Sequence, residues 1–206
     1  TEFGEAHRLA RLSLDEGHGA EARYEPDPAT VSLSGIPVAL PIGAFLQATT
    51  DGEAALVEAA REVCAGSNRT ADLFAVLGTF AFAFDGQVTA AEASRDAVLA
   101  LQAAARRARR PITADHRDLY RRPYDAKELA EYDAVVLDPP RAGAEEQVKQ
   151  LAASTVPRIA YVSCNPASFA RDAAILAEGG YKLHWARPVG QFRWSTHIEL
   201  AASFSR

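Results

Sequence analysis

Two side chains that could do chemistry stand directly after apolar runs. Cys164 follows the run 159–163, and Asp138 follows the run 134–137. Each run is short, rich in β-branched residues and closed by a proline-containing turn, which is typical of a buried strand in a parallel sheet. Open α/β sheets hold their ligands at the carboxyl ends of the strands, so both side chains are expected at one edge of one sheet. A cysteine there is a candidate nucleophile, although a free cysteine is more often a small buried hydrophobe.

A third acid lies in the last apolar segment of the chain. Glu199 is flanked by Ile198, Leu200 and Ala201. A carboxyl group buried among such residues has a raised pKa, which suits a general base. The same pattern fits a solvent-facing residue of an edge strand, and the residues alone leave both interpretations open.

The order of two motifs resembles the RNA 5-methyluridine methyltransferase family. Segment 138–143 has the sequence Asp-Pro-Pro-Arg-Ala-Gly, and segment 161–166 has the sequence Tyr-Val-Ser-Cys-Asn-Pro. This pair is specific, and the resemblance spans residues 41–206. Shorter segments that match, each of them weak alone, are 43–47, 72–74, 191–192 and 197–200. The resemblance implies a class I methyltransferase fold, S-adenosylmethionine as methyl donor and RNA as substrate.

The resemblance also implies catalytic roles for Cys164 and Glu199. In that family a thiolate adds to C6 of uracil, which turns C5 into an enolate-like carbon that can take a methyl group, and a base then removes the C5 proton. Cys164 lies in the Ser-Cys-Asn-Pro motif and would be the nucleophile, and Glu199 matches the glutamate that acts as base. The 5-methylcytosine RNA enzymes carry their cysteine in a relative of the Asp-Pro-Pro-Arg motif, which has none here. Uridine is therefore favoured.

The cofactor pocket is expected around the loop that follows the strand 71–75. Gly78 lies in this loop and would let the backbone approach a cofactor closely, but Val76 occupies a position where the family has glycine. Glu92 ends the next predicted strand, 20 residues after Asp72. An acid there can bind ribose hydroxyls, a role that the resemblance favours, or it can begin a helix. The loop lacks the full Gly-x-Gly-x-x-Gly pattern, which counts against a nicotinamide cofactor.

Further cofactor contacts are implied by the resemblance alone. Gln47 and Phe74 would line the cofactor site, and Asp118 would lie near the adenine ring. Asp138 would accept hydrogen bonds near the base or the methyl donor. A solvated loop acid explains Asp118 nearly as well, and a turn-starting residue before proline explains Asp138. No metal is expected in this chain.

The site requires strands that alternate with helices. Apolar spacing predicts helices at 53–63, 96–107, 145–153 and 168–177, and strands at 71–75, 88–91, 111–114, 134–137, 159–163, 181–187 and 197–204. This alternation predicts an α/β, Rossmann-like fold with a doubly wound, mostly parallel sheet. Residues 1–40 predict a small β-hairpin or meander that belongs to a larger N-terminal region. Residues 41–206 are predicted to form the S-adenosylmethionine-dependent methyltransferase domain.

Composition narrows the class of protein. Of the 206 residues, 48% are hydrophobic and 24% are charged, as in ordinary soluble proteins. No apolar run approaches the roughly 20 residues of a membrane helix, so no membrane partner is expected. The cysteines Cys64 and Cys164 are too few for the four-cysteine iron–sulfur site of some family members, and they fit a reducing cytoplasm. The lack of methionine indicates a fragment of a longer chain or methionines that were not recorded.

RNA, ribosomal or transfer, is the expected partner. A net charge of −5 does not by itself favour nucleic acid. A group of arginines could contact phosphates or form a solvated face: Arg106, Arg107, Arg109, Arg110, Arg117, Arg121 and Arg122. Base stacking hides C5 and C6, so the target base should be flipped into the pocket. A methyltransferase on another substrate and a catalytically silent RNA-binding module are the alternatives, and the oligomeric state stays open.

Overall fold

The computed structural model describes residues 2–192, 194–195 and 197–206. The helices of these residues, α1 to α6, are Glu2–Ala6, Thr50–Cys64, Arg95–Arg107, Ala126–Leu129, Glu145–Ala153 and Pro166–Glu178. The strands, β1 to β11, are Leu12–Asp15, Ala20–Tyr24, Thr30–Leu33, Ile36–Ala39, Arg69–Leu73, Gln87–Glu92, Ile112–His116, Ala134–Leu137, Arg158–Ser163, Lys182–Val189 and Glu199–Ser205. A single 3-10 turn of the described residues covers Ala81–Ala83.

Seven strands of the described residues form one sheet in the order β10-β11-β9-β8-β5-β6-β7. The strands from β9 to β7 run parallel to their neighbours, whereas β11 runs antiparallel to both β9 and β10. From β5 the chain builds outward to one side through β6 and β7, and then to the other side through β8 and β9. This topology confirms the predicted α/β, Rossmann-like fold with a doubly wound, mostly parallel sheet. It also opens a crevice where the direction of winding reverses.

Helices begin where side chains can cap them. Ser94 and Asn165 precede α3 and α6, and each side chain accepts a hydrogen bond from a backbone N–H of the first turn. Pro166 occupies the first turn of α6, where its missing N–H leaves no helical bond unmade. Each cap contributes about 1 kcal/mol. Because Asn165 directly follows Cys164, the same cap fixes where the chain turns after β9.

Helices cover both faces of the sheet. On one face α2 and α3 pack with Leu56 and Leu101, which are fully buried. On the other face α5 and α6 pack with Leu151 and Leu176, which are also fully buried. Each of these leucines contributes about 1.5–3 kcal/mol through burial of apolar surface. The two cores hold the sheet rigid, so the loops at its edge have fixed starting points.

The segment before residue 40 folds as two antiparallel hairpins, β1–β2 and β3–β4. Leu33 and Val38, from β3 and β4, are fully buried in the core that α2 and α3 form. The predicted small β segment is therefore present, and its second hairpin packs on the sheet domain. The division of the chain at residue 40 stays a prediction.

Two short helices, α1 and α4, were not predicted from the sequence. Helices α1 and α4 are 5 and 4 residues long, too short for an apolar stripe to repeat. The α4 helix is instead specified by a capping box, in which Asp125 and Glu128 each bind the other's backbone N–H. In the described part of the chain, none of the helices has the length and apolar character that crossing a bilayer requires.

Candidate active site

A cavity of about 560 Å³ opens at the carboxyl ends of β5, β6, β8 and β9. This is the crevice that the reversal of winding creates. Its volume lies within the range of roughly 300–1,000 Å³ that is usual for small-molecule sites. The predicted site residues that line it are Gln47, Phe74, Glu92, Asp118, Asp138, Cys164 and Glu199.

Cys164 and Glu199 come together through strand pairing. β9 and β11 are antiparallel, and Ser163 lies opposite Leu200. The residue after Ser163 and the residue before Leu200 are therefore neighbours across the two strands. Cys164 is partly buried and reduced, and Glu199 is 8% exposed. A thiol and a carboxyl group thus share one end of the cavity.

Burial and two acidic neighbours favour the protonated form of the Cys164 thiol. Burial raises the pKa of this thiol, and the carboxyl groups of Glu199 and Asp138 raise that pKa further. A thiolate beside two carboxylates is unfavourable because like charges repel. The guanidinium of Arg141 lowers the pKa of the same thiol. Arg141 also lines the cavity. It therefore contributes a positive charge to the site, a role that its place in the Asp-Pro-Pro-Arg motif did not predict.

A chain of side chains joins Asp138 to the C-terminal hairpin. Nε2 of Gln47 donates a hydrogen bond to Oδ2 of Asp138 over 3.4 Å, and Nε2 of Gln191 donates to Oε1 of Gln47 over 2.8 Å. Burial raises the pKa of Asp138 to about 8, and Glu199 and Asp72 contribute to that shift. Burial also raises the pKa of Glu199. Gln191 was known from the sequence only as part of a weak matching segment, and its contact with Gln47 spans 144 residues.

Glu92 holds the loop that follows β5. Its Oε2 accepts a hydrogen bond from the backbone N of Val76 over 3.0 Å, and its Oε1 accepts one from Ser94 N over 2.7 Å. Val76 has a φ of +50°, which is unusual for a β-branched residue. The valine therefore follows a backbone path that a glycine would take without strain, at a cost of about 1–2 kcal/mol. Glu92 stabilises this turn, and it also lines the cavity.

An aromatic pair forms another part of the wall. The rings of Phe74 and Tyr120 are tilted against each other with centroids 5.5 Å apart. Oδ1 of Asp118 accepts a hydrogen bond from the backbone N of Tyr120 over 3.0 Å. The hydroxyl of Tyr120 donates to the carbonyl of Gly143 over 3.0 Å, which holds the ring in place. These rings offer apolar surface to a planar heterocycle, and no pattern in the sequence had marked Tyr120.

Gly78 lies in the loop that follows β5. Among the described residues it does not line the cavity. Its φ is +94°, and a Cβ at this position would lie 3.0 Å from side-chain atoms of Leu101 and Phe82. Glycine is therefore required by the turn and by the approach of α3. The geometry supports a role in shaping the loop, and the expected contact with a cofactor stays a prediction.

The turns after β8 and β9 are bonded to each other. Nδ2 of Asn165 and Oγ of Ser168 donate to the carbonyl of Arg141 over 2.9 Å and 3.1 Å. Oδ2 of Asp172, which is fully buried, accepts from the backbone N of Ala144 over 2.7 Å. The two motifs that stood out in the sequence therefore form one rigid edge of the cavity.

The arginines between residues 106 and 122 do not form the single cluster that the sequence suggested. β7 separates them, and its 5 residues span about 16 Å at roughly 3.3 Å per residue. Arg110 donates to a loop carbonyl beneath the sheet, and the guanidinium of Arg117 lies 3.9 Å from the ring centroid of Tyr124. The prediction is corrected to two groups at opposite ends of β7, with Arg110 and Arg117 in structural roles.

The side chains that line the cavity suit an organic ligand. They combine aromatic surface, the carboxylate of Glu92 as an acceptor for hydroxyl groups, and the acidic end formed by Asp138 and Glu199. Among the residues that the structure describes, no cluster of three or more histidine, cysteine or acidic side chains is arranged to hold a metal ion. A ligand with a planar heterocycle and hydroxyl groups would complement the ring surface and the carboxylate of Glu92.

Comparison with known proteins identifies the family. Residues 111–206 match the family model described as tRNA (uracil-5-)-methyltransferase. The chain is 51% identical to an uncharacterized RNA methyltransferase of Zymomonas mobilis, over 100% of this chain and 52% of that protein. It is 38% identical to the 23S rRNA (uracil(1939)-C(5))-methyltransferase RlmD of Chromohalobacter salexigens, over 98% of this chain and 42% of that protein. The chain thus spans about half the length of the curated relatives it matches.

Solved structures share the fold. The Pyrococcus abyssi tRNA (uracil-54, C5)-methyltransferase, in complex with S-adenosyl-L-homocysteine, aligns with a TM-score of 0.78 at 22% identity, over 94% of this chain and 48% of that chain. P. horikoshii TYW2, in complex with MeSAdo, aligns with a TM-score of 0.70 at 15% identity, over 99% of this chain and 80% of that chain. These structures show the fold alone. The family model, supported by the relatives, assigns residues 111–206 of the chain to the tRNA (uracil-5-)-methyltransferase family of RNA methyltransferases.

Proposed function

We propose that the chain is the catalytic part of an S-adenosylmethionine-dependent enzyme that methylates C5 of a uridine in ribosomal or transfer RNA. The observation that carries this proposal is the pairing of β9 with β11, which sets Cys164 beside Glu199 at one end of the cavity. Family membership supports the reaction type, and the names of the relatives support RNA as the substrate.

S-adenosylmethionine fits the residues of the cavity. The carboxylate of Glu92 can accept hydrogen bonds from ribose hydroxyls. Phe74 and Tyr120 offer ring surface to adenine, and Asp118 lies beside Tyr120. Asp138 lies close enough to Cys164 to raise the pKa of the thiol, so its carboxyl group belongs to the reacting end. When bound, the cofactor supplies a methyl group activated by a positively charged sulfur.

Cys164 and Glu199 divide the chemistry between them. The Cys164 thiolate forms a bond to C6 of uracil, and the electrons of the C5–C6 double bond move toward C5. C5 would then take the methyl group that the cofactor supplies, the bond between that methyl group and the sulfonium sulfur would break to leave S-adenosyl-L-homocysteine, and Glu199 would take the proton from C5. Elimination breaks the bond between sulfur and C6, restores the double bond and releases the thiolate. The buried carboxyl group of Glu199, with its raised pKa, is a suitable acceptor for this proton.

The raised pKa of the Cys164 thiol has a kinetic consequence. Little thiolate is present at neutral pH, because burial, Glu199 and Asp138 all favour the protonated form. We therefore expect the rate of adduct formation to rise with pH above neutrality. Arg141, which opposes the two acids, would keep the thiolate accessible.

Covalent RNA adducts on a denaturing gel test the proposal. The Cys164→Ala variant should form no adduct with 5-fluorouridine RNA and should have no methylation activity. The Glu199→Gln variant keeps the shape of the side chain but cannot take the C5 proton, so it should methylate and then stall as an adduct with ordinary uridine RNA. Cys64→Ala is the matched control, because Cys64 is 4% exposed in α2. Turnover by Cys164→Ala would refute the mechanism.

The adduct assay, combined with binding measurements, separates the proposed function from the alternative functions. Binding of S-adenosylmethionine without any adduct in the unmodified chain would indicate a methyltransferase on another substrate. RNA binding without cofactor binding, measured by calorimetry, would indicate a catalytically silent module. Full activity of Glu199→Gln would leave Cys164 as nucleophile and assign the base to another group.

A further inference from the structure

The loop between β10 and β11 exposes two aromatic side chains. Phe192 is 46% exposed, and Trp194 is 102% exposed. Trp194 also has a φ of +65°, a conformation that costs a non-glycine residue free energy. A large ring held fully in water contributes nothing to the core of the described residues. Exposed aromatic surface beside a cavity is characteristic of a binding site.

Both ends of this loop are anchored at the cavity. At its start, Gln191 is buried, donates to Gln47 over 2.8 Å and accepts from the backbone N of Thr49 over 3.2 Å. At its end, Glu199 lines the cavity. The loop therefore begins at a residue bonded to Gln47, which lines the cavity, and ends next to Glu199, the carboxyl group that we assign as base.

The ring of Phe192 has a neighbour within the loop. Its centroid lies 6.2 Å from that of His197, and the two rings are arranged edge to face. This contact joins a residue before Trp194 to a residue after it. Trp194 has no such ring contact among the described residues, so both faces of the indole are open to a ligand.

We propose that Trp194, supported by Phe192, stacks on an unpaired nucleobase that flanks the target uridine in the substrate RNA. This inference rests on the proposed function. Flipping the target base out of a stack exposes the face of its neighbour, and an indole can cover that face whatever the base. The net charge of −5 and the division of the arginines by β7 leave phosphate contacts weak. Stacking would supply affinity that charge does not.

The dimensions of the surface favour a nucleobase over a protein. Two rings on one loop offer far less area than the roughly 800 Å² per partner of a stable protein interface. A single planar base matches the size of one indole. Failure of the RNA test below would therefore remove the proposal, because a protein partner is a different assignment.

Tryptophan fluorescence and RNA affinity test the proposal in the 206-residue chain. The chain has two tryptophans, so a Trp185→Phe background leaves Trp194 as the only tryptophan, and excitation selective for tryptophan reports on its ring. The probes are short single-stranded oligoribonucleotides with one uridine, and versions that lack one flanking base at a time. Variants Trp194→Ala and Trp194→Phe are compared with Leu183→Ala. Leu183 is a control because it is 49% exposed at the end of β10 that is distant from the loop.

The expected result is quenching of Trp194 by RNA and weaker binding by Trp194→Ala. The loss should lie between about fivefold and about 150-fold, which corresponds to one stacked base. Trp194→Phe should recover most of the affinity, and Leu183→Ala should not change it. On the RNA that lacks the stacked base, Trp194→Ala and the unmodified chain should have the same affinity.

Several results would overturn the proposal. These are unchanged affinity in Trp194→Ala, no quenching by RNA, or an equal loss on every RNA that lacks a base. The adduct assay distinguishes this failure from failure of the proposed function. If the unmodified chain forms the 5-fluorouridine adduct while Trp194→Ala binds RNA normally, only the stacking site is lost. If the unmodified chain forms no adduct, the proposed function itself fails.

Discussion

Asp72 offers a sharp test of how burial controls this site. It lies in β5, is fully buried, and accepts one hydrogen bond, from the backbone N of Ala81 to Oδ2 over 2.8 Å. Its Oδ1 is buried without a hydrogen-bond partner among the described residues. Burial raises its pKa from the ordinary value of 3.8 to about 7, and Glu92 adds to that shift. Asp72→Asn keeps the size and the carbonyl acceptor but cannot ionise.

The sign and size of the effect follow from proton linkage. The folded chain holds the Asp72 proton up to about pH 7, whereas the unfolded chain releases it near pH 4. The folded state therefore binds more protons in this window, and its stability falls as the pH rises. A shift of about 3 pH units corresponds to about 4 kcal/mol at 1.36 kcal/mol per unit. Asp72→Asn escapes this loss, so its advantage over the unmodified chain should grow by about 4 kcal/mol from pH 4 to pH 8.

Urea unfolding at a series of pH values measures the difference. The difference between the free energies of unfolding of the unmodified chain and of Asp72→Asn should be smallest at pH 4 and should grow until about pH 7. Asp85→Asn is the control for removal of an exposed carboxyl group, because the side chain of Asp85 is fully exposed. A constant difference for Asp72→Asn across the same range would refute the argument that burial keeps this carboxyl group protonated.

Other predictions concern the loops and the ligands. Gly143→Ala should destabilise the chain by about 1–3 kcal/mol more than Gly180→Ala. Both glycines have positive φ, but only a Cβ at Gly143 would meet other atoms, the nearest being a side-chain nitrogen of Arg171 at 2.6 Å. Equal free energies of unfolding of the two variants would contradict this. Glu92→Ala should weaken S-adenosyl-L-homocysteine binding by about 1–3 kcal/mol, and unchanged affinity in calorimetry would remove Glu92 from the ribose site. Arg141→Gln should raise the pKa of the Cys164 thiol and slow its alkylation by iodoacetamide at pH 8; an unchanged pH–rate profile would exclude that effect.

Local signals were sufficient for much of the fold. The apolar runs of β8 and β9 and the helical spacing of α3 and α5 are written in adjacent residues, so their positions could be predicted. Asp138 and Cys164 could be assigned to one edge because parallel strands end at the same side of a sheet. The boundaries of α2 and α6 extend beyond the predicted helices because caps and Pro166, rather than apolar residues, specify their first turns.

Features that depend on distant contacts could not be predicted. Gly78 fits a cofactor loop by its position, but only the packed α3 shows that its missing Cβ is required by Leu101. The arginines are close in sequence, but β7 carries the chain across the sheet between them. The bond between Gln191 and Gln47 joins residues 144 positions apart, and no local pattern encodes such a pair.

The amino-acid sequence by itself determined the class of fold, the family resemblance and the strand ends that carry Asp138 and Cys164. Only the tertiary structure decided which strand of the C-terminal hairpin lies beside β9. β10 and β11 have similar lengths, and either could have bonded to the open edge of β9 on local grounds. The structure inserts β11, antiparallel, between β9 and β10. The first residue of β11, Glu199, therefore lies opposite Cys164, the residue that follows β9. The two side chains are neighbours because backbone hydrogen bonds between distant segments set the register.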